Sequence, residues 1–239
     1  MNQIAIRALG VGALEIKIGT KRLLLDAFNS INQPKKINHG DFLIFTHDDA
    51  DHFSINSLPD VRGLDINIIG PPTIVQPLLQ NEKALVNQIK VMHSPNNNEP
   101  DKFSFDEFCI KSITTQHFIN WKPIHNSYLI EAKGLNIYIT GDSNLIKDMA
   151  DSITDLDVVI CNLVDEGFIT GRDDRRFAIH HHLSYLLKII SDYHPQKLIG
   201  THLINFAGTV EAEEMKKLVE DYQFTNITIP VSEDEVIIL

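Results

Sequence analysis

The sequence predicts an α/β protein built as a four-layer αββα sandwich, with two mixed β-sheets face to face between flanking helices. Three observations predict it. Strand-like segments are short and numerous, thirteen in all, which is too many for one simple doubly wound sheet. Helical periodicity is confined to a few segments, most of them late in the chain. Polar residues suited to binding repeatedly stand just past the carboxyl end of an apolar strand, where layered α/β folds gather their sites.

In chain order, Ile4 to Leu9, Ala13 to Ile18 and Arg22 to Leu25 read as strands joined by turns at Gly10–Gly12 and Gly19–Lys21. Phe42 to Thr46, Ile66 to Ile69 and Gln88 to Met92 read as buried strands. Pro72 to Leu79 reads as a helix between the last two. The segment from Ser94 to Pro100 is loop-like. Strands follow at Phe108 to Thr114, Ser127 to Glu131, Asn136 to Thr140, Val158 to Cys161, Lys197 to Gly200, Thr228 to Pro230 and Val236 to Leu239. Ser184 is placed as the N-cap of a helix ending near His194, where Pro195 stops it. Thr209 caps a helix from Val210 to Tyr222, with Met215, Leu218, Val219 and Tyr222 on one face and Glu211, Glu213 and Glu214 near its positive end. No repeat, low-complexity tract or long linker divides the chain, so one domain is expected over residues 1–239.

Composition narrows the function. The chain has 239 residues, 43% hydrophobic and 22% charged, which describes a globular protein with its own core. With 21 Lys+Arg against 32 Asp+Glu the net charge is -11, which argues against a general nucleic-acid binder. No apolar run approaches membrane-spanning length, and Arg7 and Glu15 interrupt any signal-like segment. Two distant cysteines, Cys109 and Cys161, point to reduced thiols in a cytoplasmic setting.

The segment His47-Asp48-Asp49-Ala50-Asp51-His52 puts two imidazoles and three carboxylates in six residues directly after a buried strand. Crowded like charges repel unless a cation neutralises them, so a metal role outweighs a solvated acidic loop. Further ligands follow other strands: His117, Asp142 in Gly141-Asp142, and His202. Each alone reads as an ordinary loop residue; four such placements in one chain argue for a shared site.

This order of motifs resembles the metallo-β-lactamase-fold hydrolase superfamily, whose pattern is His-x-His-x-Asp-His after a strand, then a distant His, a Gly-Asp and a final His. Asp26, closing Leu23-Leu24-Leu25-Asp26, also matches a position near the site. The resemblance implies two divalent metal ions, Zn, Mn or Fe. One would be held by His47, Asp49 and His117, the other by Asp51, His52 and His202, with Asp142 bridging. It implies hydrolysis by a metal-activated bridging water, with Asp51 orienting that water. The chain departs from the pattern where Asp49 replaces the second His. A hard oxygen donor there favours Mn or Fe, or else weakens the first site.

For the leaving group, Ile179-His180-His181-His182-Leu183-Ser184 offers a proton donor or anion contact, and equally an exposed histidine loop. His182 is preferred because phosphodiesterase branches of the superfamily carry a similar histidine; His181 and His125 are expected near substrate. Gly171-Arg172-Asp173-Asp174-Arg175-Arg176 reads first as a solvated loop with internal ion pairs, while Arg176 in it suits an anionic group. Trp121 fits either a pocket wall or packing.

Asn126 to Glu131, Ile137 to Asp142 and Thr201 to Gly208 are similar to the branch containing the L-ascorbate-6-phosphate lactonase. The expected substrate is a small anionic ester, lactone or phosphodiester. The competing readings are a nuclease of the same fold and a non-catalytic metal-binding module. The helix faces are compatible with a homo-oligomer, which nothing in the sequence compels.

Overall fold

In the computed structural model the described residues are 3–32, 35–93, 100–115, 117, 124–143, 153, 155–163, 175–203 and 209–239, with only the backbone described for 175–178 and 209–211. The chain forms β1 (Ile4–Ala8), β2 (Leu14–Ile18), β3 (Lys21–Leu25), β4 (Phe42–Ile44), β5 (Asn67–Gly70), α1 (Pro72–Gln80) and β6 (Ile89–Val91). It continues with β7 (Lys102–Phe105), β8 (Phe108–Thr115), β9 (His125–Ala132), β10 (Leu135–Ile139), β11 (Val158–Asn162), α2 (Arg175–Tyr193), β12 (Lys197–Thr201), α3 (Thr209–Asp221), β13 (Ile227–Thr228) and β14 (Val236–Ile238).

Two seven-stranded sheets result, ordered β14-β1-β2-β3-β4-β5-β6 and β13-β12-β11-β10-β9-β8-β7. They share one plan. In the first, β1, β2 and β3 run antiparallel and β4, β5 and β6 add in parallel. In the second, β8, β9 and β10 run antiparallel and β11, β12 and β13 add in parallel. Asp26 after β3 and Asp142 after β10 therefore occupy equivalent places in the two halves, an equivalence of topology that no sequence repeat announces.

Period-2 alternation assigns side chains to layers. Leu23 and Leu25 join Ile6, Ile16, Phe42, Ile44, Tyr128, Ile130, Ile139 and Ile160 between the sheets. Leu24, Leu43, Phe45 and Ile68 face outward and are covered by Ile74 and Leu78 of α1. On the opposite outer face Val159, Cys161 and Leu198 meet Leu183, Leu186 and Ile189 of α2 and Ala212, Met215 and Val219 of α3. The four layers are those the sequence predicts. Among the described residues no helix is long and apolar enough to cross a membrane.

Four expectations need correction. The helix placed from Ser184 begins at Arg175 instead. Ile179, Leu183, Leu186 and Ile189 form one buried stripe, and Ser184 Oγ donates back to the His180 carbonyl at 2.9 Å as a mid-helix residue. The strand at Gln88 to Met92 shortens to β6 and is not buried: it is a sheet edge whose Val91 is exposed. β7 lies just beyond the predicted loop and was not expected, because a four-residue edge strand leaves little periodicity to read. Tyr222 lies past the end of α3 and is exposed, while Ala212 takes its place on the buried face.

Candidate metal centre

The centre begins where β4 ends. The Asp49 carbonyl accepts the backbone N–H groups of His52 at 2.9 Å and Phe53 at 2.7 Å, folding the His47–His52 loop back on itself. Asp26, fully buried at the end of β3, sits at φ 49°, a left-handed conformation that non-glycine residues keep only when their surroundings enforce it. Here they do. Asp26 Oδ1 accepts Thr46 N–H at 2.8 Å, and its Oδ2 accepts the Thr46 hydroxyl at 2.6 Å and His52 Nδ1 at 2.8 Å.

That arrangement sets the histidine tautomers. With its proton given to Asp26, the Thr46 hydroxyl accepts from His47 Nδ1 at 2.9 Å. Both rings then turn Nε2 into the centre, where His47 Nε2 and His52 Nε2 are buried without a hydrogen-bond partner. A buried polar atom in that condition costs stability unless something else binds it.

The second sheet is fastened against this loop. Asn126 N–H donates to the Thr46 carbonyl at 3.0 Å, and the Tyr128 hydroxyl donates to the Phe45 carbonyl at 2.7 Å. These bonds bring the ends of β8, β10 and β12 over β4. His117 is held against the Asp142 segment by a bridge to Ser143, and His202 turns in at φ 78° just past β12.

The predicted ligands converge. His47 Nε2 and His117 Nε2 lie 3.4 and 3.2 Å from Asp49 Oδ2. His52 Nε2 and His202 Nε2 lie 3.9 and 3.5 Å from Asp51 Oδ2. Between the two groups stands Asp142, its Oδ2 3.3 Å from His52 Nε2 and 3.8 Å from His117 Nε2, its Oδ1 3.9 Å from His202 Nε2. Asp51, His52, Asp142 and His202 form one set whose ligand atoms lie within 4.8 Å of one another, and His47, His117 and Asp142 form another. Asp49 belongs to neither of these sets, although its Oδ2 lies close to both His47 Nε2 and His117 Nε2.

The electrostatics fit a cation. Burial works against the His52 imidazolium, but the Asp142 and Asp26 carboxylates outweigh it and hold its pKa well above the ordinary value. Burial likewise opposes ionisation of Asp142 and Asp51. The surrounding histidines reverse the effect, His52 foremost for Asp142 and His202 for Asp51, and both acids stay below their usual range. Burial pushes His47 down. The result is two ionised carboxylates facing a protonated His52, whose positive charge stands where a divalent cation would balance them.

The remaining expectations divide. His125, expected near substrate, is fully buried with both ring nitrogens committed: Nδ1 donates to Thr115 Oγ1 at 2.7 Å and Nε2 accepts Asp142 N–H at 3.0 Å. It supports Asp142 from behind, and burial holds its pKa well below the ordinary value. Gly141, at φ 54°, is needed beside it, because a Cβ there would meet His125 Nε2 at 2.7 Å. The three histidines of α2 lie on the helix, not in a loop. Successive helical residues point about 100° apart, and it is His182 that is buried while His180 is exposed. The Arg176 side chain, Trp121 and the rest of the 171–174 run lie outside the described residues.

Sequence reading missed Thr46 and Asn162. Asn162 Nδ2 donates to Asp142 Oδ1 at 2.8 Å. Its signal was present, since Asn162 ends an apolar strand just as the ligands do.

A model of the β-lactamase superfamily domain matches residues 21–203. A metal-dependent hydrolase of the UPF0173 group from Staphylococcus epidermidis is 25% identical over 210 residues, covering 83% of this chain and 89% of the relative. Igni18, a metallo hydrolase from the archaeon Ignicoccus hospitalis, has a similar fold at TM-score 0.65 and 14% identity, over 99% of this chain and 98% of that one. CmlA, a diiron β-hydroxylase from Streptomyces venezuelae, matches at TM-score 0.64 and 13% identity, over 100% of this chain and 54% of that one.

Proposed function

We propose, from the premise that the chain belongs to the β-lactamase superfamily domain family, that it is a metal-dependent hydrolase of a small anionic ester, lactone or phosphodiester. The observation that carries this reading is the pair of buried, unpartnered Nε2 atoms of His47 and His52 turned toward the Asp49, Asp51 and Asp142 carboxylates. Metal-dependent hydrolases among the relatives support the same class.

The donors fit a pair of divalent cations. His47, His117 and Asp49 would hold one; His52, His202 and Asp51 the other; Asp142 stands between and would serve both. Each cation then receives two imidazoles and one carboxylate besides the shared Asp142, a donor set that suits Fe or Mn as well as Zn. The fold's use by a diiron enzyme supports an iron-competent version of the site. Bound there, the cations would supply an activated water and polarise the scissile group.

The chain's own residues do the rest. Asp26 and Thr46 fix the His52 and His47 rings, so no reorganisation is needed when a substrate arrives. Asp51 is only partly buried, which lets it face both the cations and an incoming water and orient that water's proton. His182 on α2 is the group proposed to pass a proton to the leaving group, and His181 and Arg176 are those proposed to bind the substrate's negative charge. With three carboxylates in the centre, bound cations would be left with less net positive charge than an all-histidine first group would leave them, and an activated water there would be more basic. We take residues 1–239 as one hydrolase domain, and the two free cysteines fit a reducing, cytoplasmic setting.

The test is to strip the protein, reload it separately with Mn, Fe and Zn, and screen chromogenic phosphodiesters and lactones. Activity restored by metal, and lost in Asp51→Asn together with part of the bound metal, is the expected result. Protein that takes up metal but turns over none of these substrates in any form would point to the binding module instead.

A further inference from the structure

Asp142 is held on two sides by residues outside the proposed ligand set. Its backbone N–H donates to His125, and its Oδ1 accepts from Asn162 Nδ2 at 2.8 Å. Asn162 ends β11 and is itself fixed. The Thr201 hydroxyl donates to Asn162 Oδ1 at 2.9 Å, and the Asp142 carboxylate, which can only accept, settles that the NH2 end of the amide faces it. Asn162 N–H donates to Thr140 Oγ1 at 3.3 Å, while the Thr140 hydroxyl donates to the Gly141 carbonyl at 2.7 Å. One side-chain amide thus ties the ends of β10, β11 and β12 in a row, each of those ends lying next to or leading into a residue of the centre.

The consequence is asymmetric. With Oδ1 engaged by the amide, Oδ2 is the oxygen near histidines of both groups, His52 at 3.3 Å and His117 at 3.8 Å. Oδ1 approaches only His202, at 3.9 Å. Resting on the reading that this cluster holds two cations, we infer that Asn162 is a positioning residue that selects Asp142 Oδ2 as the atom shared between them. It acts by fixing the plane of the carboxylate. Without it the carboxylate turns freely about its Cβ–Cγ bond, and the shared position is kept only part of the time.

Mn²⁺ binding to the stripped full-length protein tests this, followed by equilibrium titration and by the electron paramagnetic resonance spectrum of the fully loaded form. In the wild type, two Mn²⁺ bind and their spins couple through the shared oxygen. In Asn162→Ala the second Mn²⁺ binds about 10- to 100-fold more weakly, the scale for removing a group that orients a ligand. The first binds nearly as before, and the coupled spectrum weakens or disappears. Unchanged second-ion affinity with unchanged coupling overturns the inference. So does an equal loss of both affinities accompanied by a lower melting temperature, which marks Asn162 as general support of the fold. Should Asn162→Ala not fold, Thr201→Val keeps the amide but removes the hydroxyl that steadies its Oδ1, and the same selective loss is expected in smaller degree. Wild-type protein that binds one Mn²⁺ or none overturns the two-cation reading itself, by a measurement that does not involve Asn162.

Discussion

Asp26 Oδ2 accepts a hydrogen bond from His52 Nδ1 at 2.8 Å, and both side chains are fully buried. The bond links the end of β3 to the loop after β4 and, through Thr46, governs His47 as well. One carboxylate thus orients a ring in each of the two ligand groups. Asp26→Asn replaces one acceptor oxygen by an NH2 group, which faces a donor whichever way the amide turns. Metal affinity is expected to fall about 10- to 100-fold. The metal-free protein should lose about 1–3 kcal/mol for the buried donor left unmatched. Metal content after dialysis and urea denaturation measure the two effects separately.

Asp49 is expected to set metal preference. Its Oδ2 lies near both His47 Nε2 and His117 Nε2, so a histidine at this position would complete an all-nitrogen group. Asp49→His is expected to raise affinity for Zn relative to Mn by about tenfold or more, since imidazole suits Zn and carboxylate suits Mn. Competition between the two ions on stripped wild-type and variant protein reads this directly. Equal preference in the two proteins would mean that the Asp49 oxygen does not reach a cation.

The proposed ligands were legible in the sequence because they are strong donors at or just past the ends of apolar strands, and strands of Val, Ile, Leu and Phe announce themselves. The layer plan was legible for the same reason. What holds the ligands was not. Thr46, Asn162 and Tyr128 act through pairings between segments far apart in the chain: the place of Asn162 at the end of an apolar strand marks the residue but not its partner, and no local pattern says that a Tyr128 hydroxyl will reach the Phe45 carbonyl. The start of α2 was hidden differently. Three consecutive histidines read as loop, although Ile179 and Leu183 already carry the helical stripe. His125 looked like a substrate contact because sequence reports a histidine's presence, whereas its role here follows from two filled hydrogen bonds.

Gly12 separates contact from backbone strain. It sits at φ 63°, and a Cβ there would meet His52 Cε1 at 2.7 Å. Gly40, at φ 84°, has nothing within 4 Å of the same position. Gly40→Ala should cost only the left-handed penalty, about 1–2 kcal/mol. Gly12→Ala should cost that and also displace His52, so metal affinity falls in this variant alone. Melting temperatures and metal titrations of the pair make the comparison. Equal metal binding in both would show that the His52 ring has room to give.

Cys161 reports on the core beneath α2. It is fully buried on β11 among Leu198, Leu183 and Met215, and burial pushes its thiol pKa up from an ordinary 9.0. Cys109 on β8 is only partly buried. A thiol reagent should therefore modify Cys109 in the native protein and reach Cys161 only as the chain opens, because the thiolate is the reactive form. Linkage gives the pH dependence. A folded pKa raised above the unfolded one contributes stability that is fully present below pH 9.0 and is lost as pH rises from there through the folded value. The loss is about 1.4 kcal/mol per pH unit over that window. Cys161→Ala should remove this part of the slope, so the difference in unfolding free energy between wild type and variant shrinks above pH 9.0 and is flat below it. Denaturation curves from neutral pH upward, with Cys109→Ser as the common background, provide the measurement. A difference that stays flat throughout would mean that Cys161 ionises as readily in the folded protein as in the unfolded chain.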